Sequence, residues 1–125
     1  MMVLAPPVLV GKRVLIVEDE LLVALLIEDF LAELGCSTLG PYGSVAKAMD
    51  VARTEVFDLA VLDVNLAGEK VYPVAEVLMQ RHIPFLFLSG YGDEAIPAGR
   101  NGWRVCAKPF RGNDLAAMMS AALAT

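Results

Sequence analysis

Five residues of this chain have side chains that could act together on a phosphoryl group: Glu18, Asp19, Asp63, Ser89 and Lys108. The first two are adjacent, and each group directly follows a short apolar run of the kind that forms a buried strand. Carboxylate oxygens are the ligands that a hard divalent cation such as Mg²⁺ prefers. A hydroxyl and an ammonium can bind the oxygens of a phosphate. The set therefore predicts a site that holds a divalent cation beside a phosphoryl group.

Apolar runs alternate with segments of helical periodicity along the chain, and these elements must position the five residues. The predicted strands are 13–17, 36–39, 57–63, 83–88 and 104–107. The predicted helices are 20–34, a helix through residue 52 that Ser44 caps, about 72–81, and 115–123. The segment 94–102 is rich in glycine and proline, so any helix there should be short or distorted.

This alternation predicts an α/β fold, a doubly wound five-stranded parallel sheet with helices on both faces. A dinucleotide-binding sheet would carry GxGxxG after its first strand, but this chain has Glu18-Asp19-Glu20, which would repel a pyrophosphate. We therefore predict the flavodoxin-like strand order 2-1-3-4-5. Its switch point lies between the first and third strands, where Glu18 and Asp19 would meet Asp63.

Composition limits the function further. At 125 residues, with 57% hydrophobic and 20% charged residues, the chain fits one domain; we expect a leader at 1–11, a single domain at 12–125 and no output domain. A net charge of −5 without clustered Lys and Arg argues against nucleic-acid binding. The longest apolar run, 21–27, is far short of the roughly 18 residues that span a bilayer. Cys36 and Cys106 lack metal or disulfide spacing, which favours a reducing cytoplasm.

The order and spacing of the site residues resemble those of the receiver domain of bacterial two-component response regulators, in its stand-alone, single-domain form. The resemblance covers residues 12–123 and implies the flavodoxin-like (CheY-like) fold. It also implies that Asp63 is the phosphoacceptor, that Asp19 binds Mg²⁺ directly, and that Glu18 acts largely through metal-bound water. Asn65 would offer its backbone carbonyl to the metal, with Mn²⁺ as an alternative ion.

By the same resemblance, Ser89 would bond a phosphoryl oxygen and Lys108 would pair with the phosphoryl group, while Pro109 is a candidate for a cis peptide bond. Receivers commonly carry an aromatic switch residue in the fifth strand, where this chain has Val105. The run FLSGY, which ends at Tyr91, instead resembles the alphaproteobacterial receiver subgroup nicknamed FAT GUY. Tyr91 is therefore a candidate switch or gate, with simple packing over the loop as the equal alternative.

The implied function is that of a response regulator receiver. It would accept a phosphoryl group on Asp63 from a histidine kinase or histidine phosphotransfer protein, and so switch a surface that contacts a downstream protein. The resemblance favours kinase docking on the first helix and a homodimer or target surface near the last. It implies no enzyme turnover beyond self-directed phosphotransfer and autodephosphorylation, the latter tuned in receivers at the positions of Asn65 and Tyr91.

Two other functions stay open on the sequence. One is a phosphorylation-independent adaptor of the same fold. The other is a small Mg²⁺-dependent phosphatase with an aspartyl-phosphate intermediate, although such enzymes of the haloacid-dehalogenase type place Asp where Asn65 stands here. Outside the site, Trp103 is expected to be a partly buried anchor, and His82 a capping or surface residue.

Overall fold

The computed structural model describes residues 6–90 and 96–124. Its central sheet has five parallel strands: β1 Arg13–Val17, β2 Ser37–Tyr42, β3 Leu59–Asp63, β4 Phe85–Ser89 and β5 Arg104–Ala107. Their spatial order is β2-β1-β3-β4-β5, so the predicted flavodoxin-like order is confirmed. Every strand therefore ends at the same edge of the sheet.

Four α-helices are present in the described part of the chain: α1 Leu21–Glu33, α2 Val45–Thr54, α3 Tyr72–Gln80 and α4 Gly112–Leu123. Helix α2 begins as predicted, because the Ser44 hydroxyl accepts a hydrogen bond from the backbone N–H of Lys47 at 3.3 Å. The described residues between β4 and β5, 96–103, form turns rather than a helix.

The sheet separates two apolar layers, because alternate residues of a strand point to opposite faces. Val14 and Ile16 of β1 pack into the layer that contains α1 and α4. Leu15 and Val17 pack into the layer that contains α2 and α3. Both faces of the sheet are thus covered, as the nearly continuous apolar strands predict.

Most boundaries agree with the prediction to within two residues, and two differ by three. Strand β2 continues through Gly40 and Pro41 to Tyr42; because it is an edge strand, the missing N–H of Pro41 leaves no central ladder bond unmade. Helix α4 begins at Gly112, three residues early. A Cβ on Gly112 would lie only 2.3 Å from a ring carbon of Phe30, so glycine lets α4 approach α1 there.

A short antiparallel hairpin lies between β3 and α3, where the sequence predicts neither a strand nor a helix. Asn65–Leu66 pairs with Glu69–Lys70, and Asn65 lies opposite Lys70. The two residues of its turn, Ala67 and Gly68, have φ values of 47° and 87°. Positive φ at both central residues is what a type I′ hairpin turn requires.

The segment before β1 also contributes to the core. Residues Pro7–Leu9 form a single 3₁₀ turn, and Leu9 is fully buried in the layer of α1 and α4. The backbone N–H of Gly11 donates to the carbonyl of Gly35 at 2.8 Å. Part of the expected 1–11 leader is therefore packed as part of the domain.

Candidate functional site

Strands β1 and β3 and the residue after β5 place three charged groups together at the carboxyl edge of the sheet. The ammonium Nζ of Lys108 donates to Glu18 Oε1 and to Asp63 Oδ1, each at 3.1 Å. Glu18 is only 3% exposed and Asp63 only 7%. Two carboxylates this buried need a compensating charge, and Lys108 supplies it.

A third carboxylate, that of Asp19, completes an acidic group. Glu18, Asp19 and Asp63 each offer an oxygen atom within 4.8 Å of the others. Asp19 is exposed, and its Oδ2 accepts a hydrogen bond from the backbone N–H of Ala67 at 3.0 Å. Because the donors are all carboxylate oxygens, this set fits a hard cation such as Mg²⁺ better than a thiol-seeking metal.

Burial and charge shift the titration of both partners in the central ion pair. Burial, opposed by a backbone hydrogen bond from Glu20 and reinforced by the charge of Asp63, raises the pKa of Glu18 from 4.5 to about 7. Burial alone would lower the pKa of Lys108. The hydrogen bond to Glu18 and the charges of Asp63 and Glu18 outweigh burial, so the Lys108 pKa lies above its usual value. Lys108 therefore stays a cation at neutral pH.

The charged groups border an open cleft of about 870 Å³. Its lining includes Asp19, Asp63 and Lys108, together with Asn65 and Lys70 of the hairpin. Lys70 is missed in the sequence analysis, because with neither a helix nor a strand predicted between residues 63 and 72 nothing indicates that this side chain turns toward the site. Its Nζ donates to Asn65 Oδ1 at 2.5 Å.

The remaining predicted site residues lie around the end of β4. Ser89 is 2% exposed and directly follows Leu88, the residue that pairs with Asp63 across the sheet. Its backbone carbonyl accepts a hydrogen bond from the N–H of Lys108 at 2.9 Å. The Lys108–Pro109 peptide bond is cis. Tyr91 lies outside the described residues.

An aromatic cluster of Tyr72, Phe85, Phe87 and Trp103 lies beside the cleft. The ring centroid of Trp103 is 5.4 Å from those of Phe85 and Phe87 and 6.5 Å from that of Tyr72. Tyr72 also lines the cleft, so the cluster and the cleft share one side chain. Trp103 is half-buried, as an anchor residue should be.

Contacts from α3 and the segment before β5 hold the edge of this cluster. The guanidinium of Arg100 lies 5.4 Å from the Trp103 ring and forms an ion pair with Glu76 at 2.6 Å. Val105 stands where receivers commonly carry an aromatic switch. It packs against the apolar layer of α2 and α3, to which Phe85 and Phe87 also belong. His82 is exposed after α3 and lies away from the cleft lining.

Comparison with known proteins identifies the family. Residues 14–120 match the family model described as the response regulator receiver domain. The chain therefore belongs to the response regulator receiver family, and the resemblance seen in the sequence is confirmed. None of the helices in the described ranges combines the length and apolar character needed to cross a bilayer.

Individual relatives agree with this assignment. The transcriptional regulatory protein PdtaR of Mycobacterium tuberculosis (strain CDC 1551 / Oshkosh) is 30% identical over 112 residues, which cover 85% of this chain and 54% of PdtaR. The chain thus spans about half the length of the curated relatives it matches.

Among solved structures, SdrG of Sphingomonas melonis Fr1 is 39% identical with a TM-score of 0.77, covering 94% of this chain and 98% of that one. The response regulator PhyR of Brucella abortus is 28% identical with a TM-score of 0.79, covering 91% and 48% respectively.

Proposed function

We propose that this chain accepts a phosphoryl group on Asp63 and uses it to switch a surface that contacts another protein. The observation that carries the proposal is the position of Lys108, 3.1 Å from both Asp63 and Glu18, with the Asp19 carboxylate close by and an open cleft in front. An incoming phosphoryl group would find an acceptor oxygen and a cation on the same wall.

The transfer itself needs little from the protein beyond positioning. An oxygen of Asp63 bonds to phosphorus, and the phosphorus–nitrogen bond of a phosphohistidine donor breaks with its electron pair on the imidazole. Lys108 offsets the negative charge that the approaching phosphoryl adds beside Asp63 and Glu18. Mg²⁺, held by Glu18, Asp19, Asp63 and the carbonyl of Asn65, would neutralise phosphoryl oxygens when bound.

The switch follows from the new charge. An acyl phosphate adds about one to two negative charges and three acceptor oxygens. Lys108, shared at present between two carboxylates, would turn toward it, and the Ser89 hydroxyl would bond a phosphoryl oxygen. Because the Lys108 N–H already bonds the Ser89 carbonyl, a shift at one residue moves the ends of both β4 and β5.

We place the contact with the phosphodonor, a histidine kinase or phosphotransfer protein, on the exposed apolar face of α1. Leu21, Leu22, Leu25 and Leu26 are 68%, 82%, 45% and 58% exposed. Four neighbouring exposed leucines on one helix are typical of a protein contact surface, and Glu20, the residue before α1, lines the cleft. The relatives found are named as regulatory proteins, which supports a regulatory role for this chain.

The decisive experiment is phosphorylation by acetyl phosphate or phosphoramidate with Mg²⁺, followed by intact mass. We expect one acid-stable, base-labile adduct of about 80 Da, one phosphoryl group. Asp63→Asn should abolish it, whereas Asp50→Asn, an exposed aspartate on α2, should not. Labelling of Asp63→Asn at equal stoichiometry would reject Asp63 as the acceptor.

The same assay separates the alternatives. Mg²⁺ binding without any adduct would favour a phosphorylation-independent adaptor. Continuous phosphate release from an outside phosphate ester at enzyme-like rates would favour a phosphatase. Repeating the labelling with Mn²⁺ in place of Mg²⁺ tests whether the carboxylate set accepts both ions.

A further inference from the structure

Lys70 is a charged group of the cleft wall that the phosphotransfer step does not use. It lies in the hairpin directly opposite Asn65, and its ammonium donates to the Asn65 side-chain oxygen at 2.5 Å. Both residues line the cleft that contains Asp63. The partner of the Lys70 ammonium is a neutral amide rather than a carboxylate, so this contact is a hydrogen bond and not an ion pair.

The contact fixes the orientation of the Asn65 amide. An ammonium can only donate hydrogen bonds, so the amide oxygen, its single acceptor atom, must face Lys70. The hairpin is held independently at its turn, where the N–H of Ala67 bonds Asp19. Asn65 is thus fixed on the wall of the cleft, with one of the two lone pairs of its amide oxygen bonded to a cation, which makes the other lone pair a weaker acceptor.

We propose that Lys70 is a positioning residue that lengthens the life of the acyl phosphate by holding the Asn65 oxygen and weakening it as an acceptor for water. The inference rests on the proposed phosphorylation of Asp63. In hydrolysis, a water oxygen bonds to phosphorus and the bond from phosphorus to the Asp63 oxygen breaks, leaving its electron pair on the carboxylate; the proton of the water goes to the released phosphate. An acceptor on the cleft wall would orient that water, and Lys70 makes the Asn65 oxygen a weaker acceptor for it by binding one lone pair and fixing the direction of the amide.

The test is the half-life of the phosphorylated protein after removal of excess phosphoramidate, read by intact mass in Mg²⁺ buffer. Lys70→Met frees the amide oxygen and should shorten the half-life about fivefold, the factor that one ordinary hydrogen bond contributes. Lys70→Arg keeps a donor and should retain most of the original half-life. Lys47→Met, a matched change on the exposed surface of α2, should leave it unchanged.

A double substitution distinguishes positioning from a direct effect of the Lys70 charge. In an Asn65→Ala background the amide is gone, so adding Lys70→Met should change the half-life no further. An undiminished effect in that background, or an unchanged half-life in Lys70→Met alone, would overturn the proposal. Failure of the underlying function looks different, because the unsubstituted protein would then gain no phosphoryl mass at all.

Discussion

The acidic cleft and the neighbouring aromatic cluster are built on opposite principles although they share Tyr72. In the cleft, two buried carboxylates are held by one ammonium at 3.1 Å, so each charge depends on the others. In the cluster, rings 5.4 to 6.5 Å apart pack without charge compensation among themselves. The cleft therefore determines what chemistry is available, and the cluster determines how firmly the surrounding strands are held.

If this contrast is correct, substitutions in the cluster should change stability most and those in the cleft should change reactivity most. Phe87→Ala removes a fully buried ring and should lower the free energy of unfolding by about 3–5 kcal/mol, measured by urea denaturation. Leu22→Ala, at an exposed position, should change it by no more than about 0.5 kcal/mol. A loss below about 1 kcal/mol for Phe87→Ala would mean that the cluster does not hold β4 in place.

Removing the Lys108 ammonium should change the reactivity of the cleft more than the stability of the fold. Lys108→Ala should slow phosphorylation by acetyl phosphate about 100-fold, because the charge of the approaching phosphoryl is no longer offset. Mg²⁺ binding, followed by titration, should persist because the three carboxylates remain. Lys47→Ala serves as the surface control. Phosphorylation of Lys108→Ala at the original rate would remove Lys108 from the mechanism.

The pH dependence of stability should originate in the cleft. The pKa of Glu18 is raised by burial from 4.5 to about 7, so the folded state favours its protonated form. Its contribution to stability is complete below about pH 4.5 and is lost as the pH rises through about 7. In metal-free buffer we expect Glu18→Gln to flatten the fall in unfolding free energy over this interval. An identical pH profile would contradict the assigned titration.

The smallest expected effect is a change in the fluorescence of Trp103 when the cleft is phosphorylated, which would show that the aromatic cluster responds to the cleft. Trp103 is the single tryptophan of the chain, and its ring contacts Phe87, two residues before Ser89. Phosphorylation should change the intensity of its fluorescence modestly, and Asp63→Asn treated identically should show no change. Identical spectra before and after phosphorylation would mean that the cluster is independent of the cleft.

The strands and the charged set could be predicted from the sequence because strongly apolar runs and abrupt polar ends leave little choice. The bounds of β1 agree residue for residue, and Glu18, Asp63 and Lys108 meet as expected. Their proximity is a structural observation; the roles assigned to Glu18, Asp19, Asp63, Asn65, Ser89 and Lys108 stay predictions.

The hairpin at 65–70 could not be predicted, for a reason that lies in its turn. Type I′ turns are usually recognised in a sequence by Asn-Gly or Asp-Gly. Here the first turn residue is Ala67, which takes the left-handed conformation that alanine seldom adopts. The extension of β2 could not be predicted for a similar reason. A Gly40-Pro41 pair usually ends a strand, and it is tolerated inside β2 only because β2 lies at the edge of the sheet. In both places tertiary contacts override the local preference.

The burial of Leu9 limits how far the domain can be shortened at its N-terminal end. The family match runs from residue 14 to residue 120, yet Leu9 and Ala122, both beyond those limits, are fully buried in the same apolar layer. A fragment trimmed to the matched region would lose a side chain from each end of that layer and expose the apolar surface beneath them. Shortened versions of the protein should therefore keep residues 6–124.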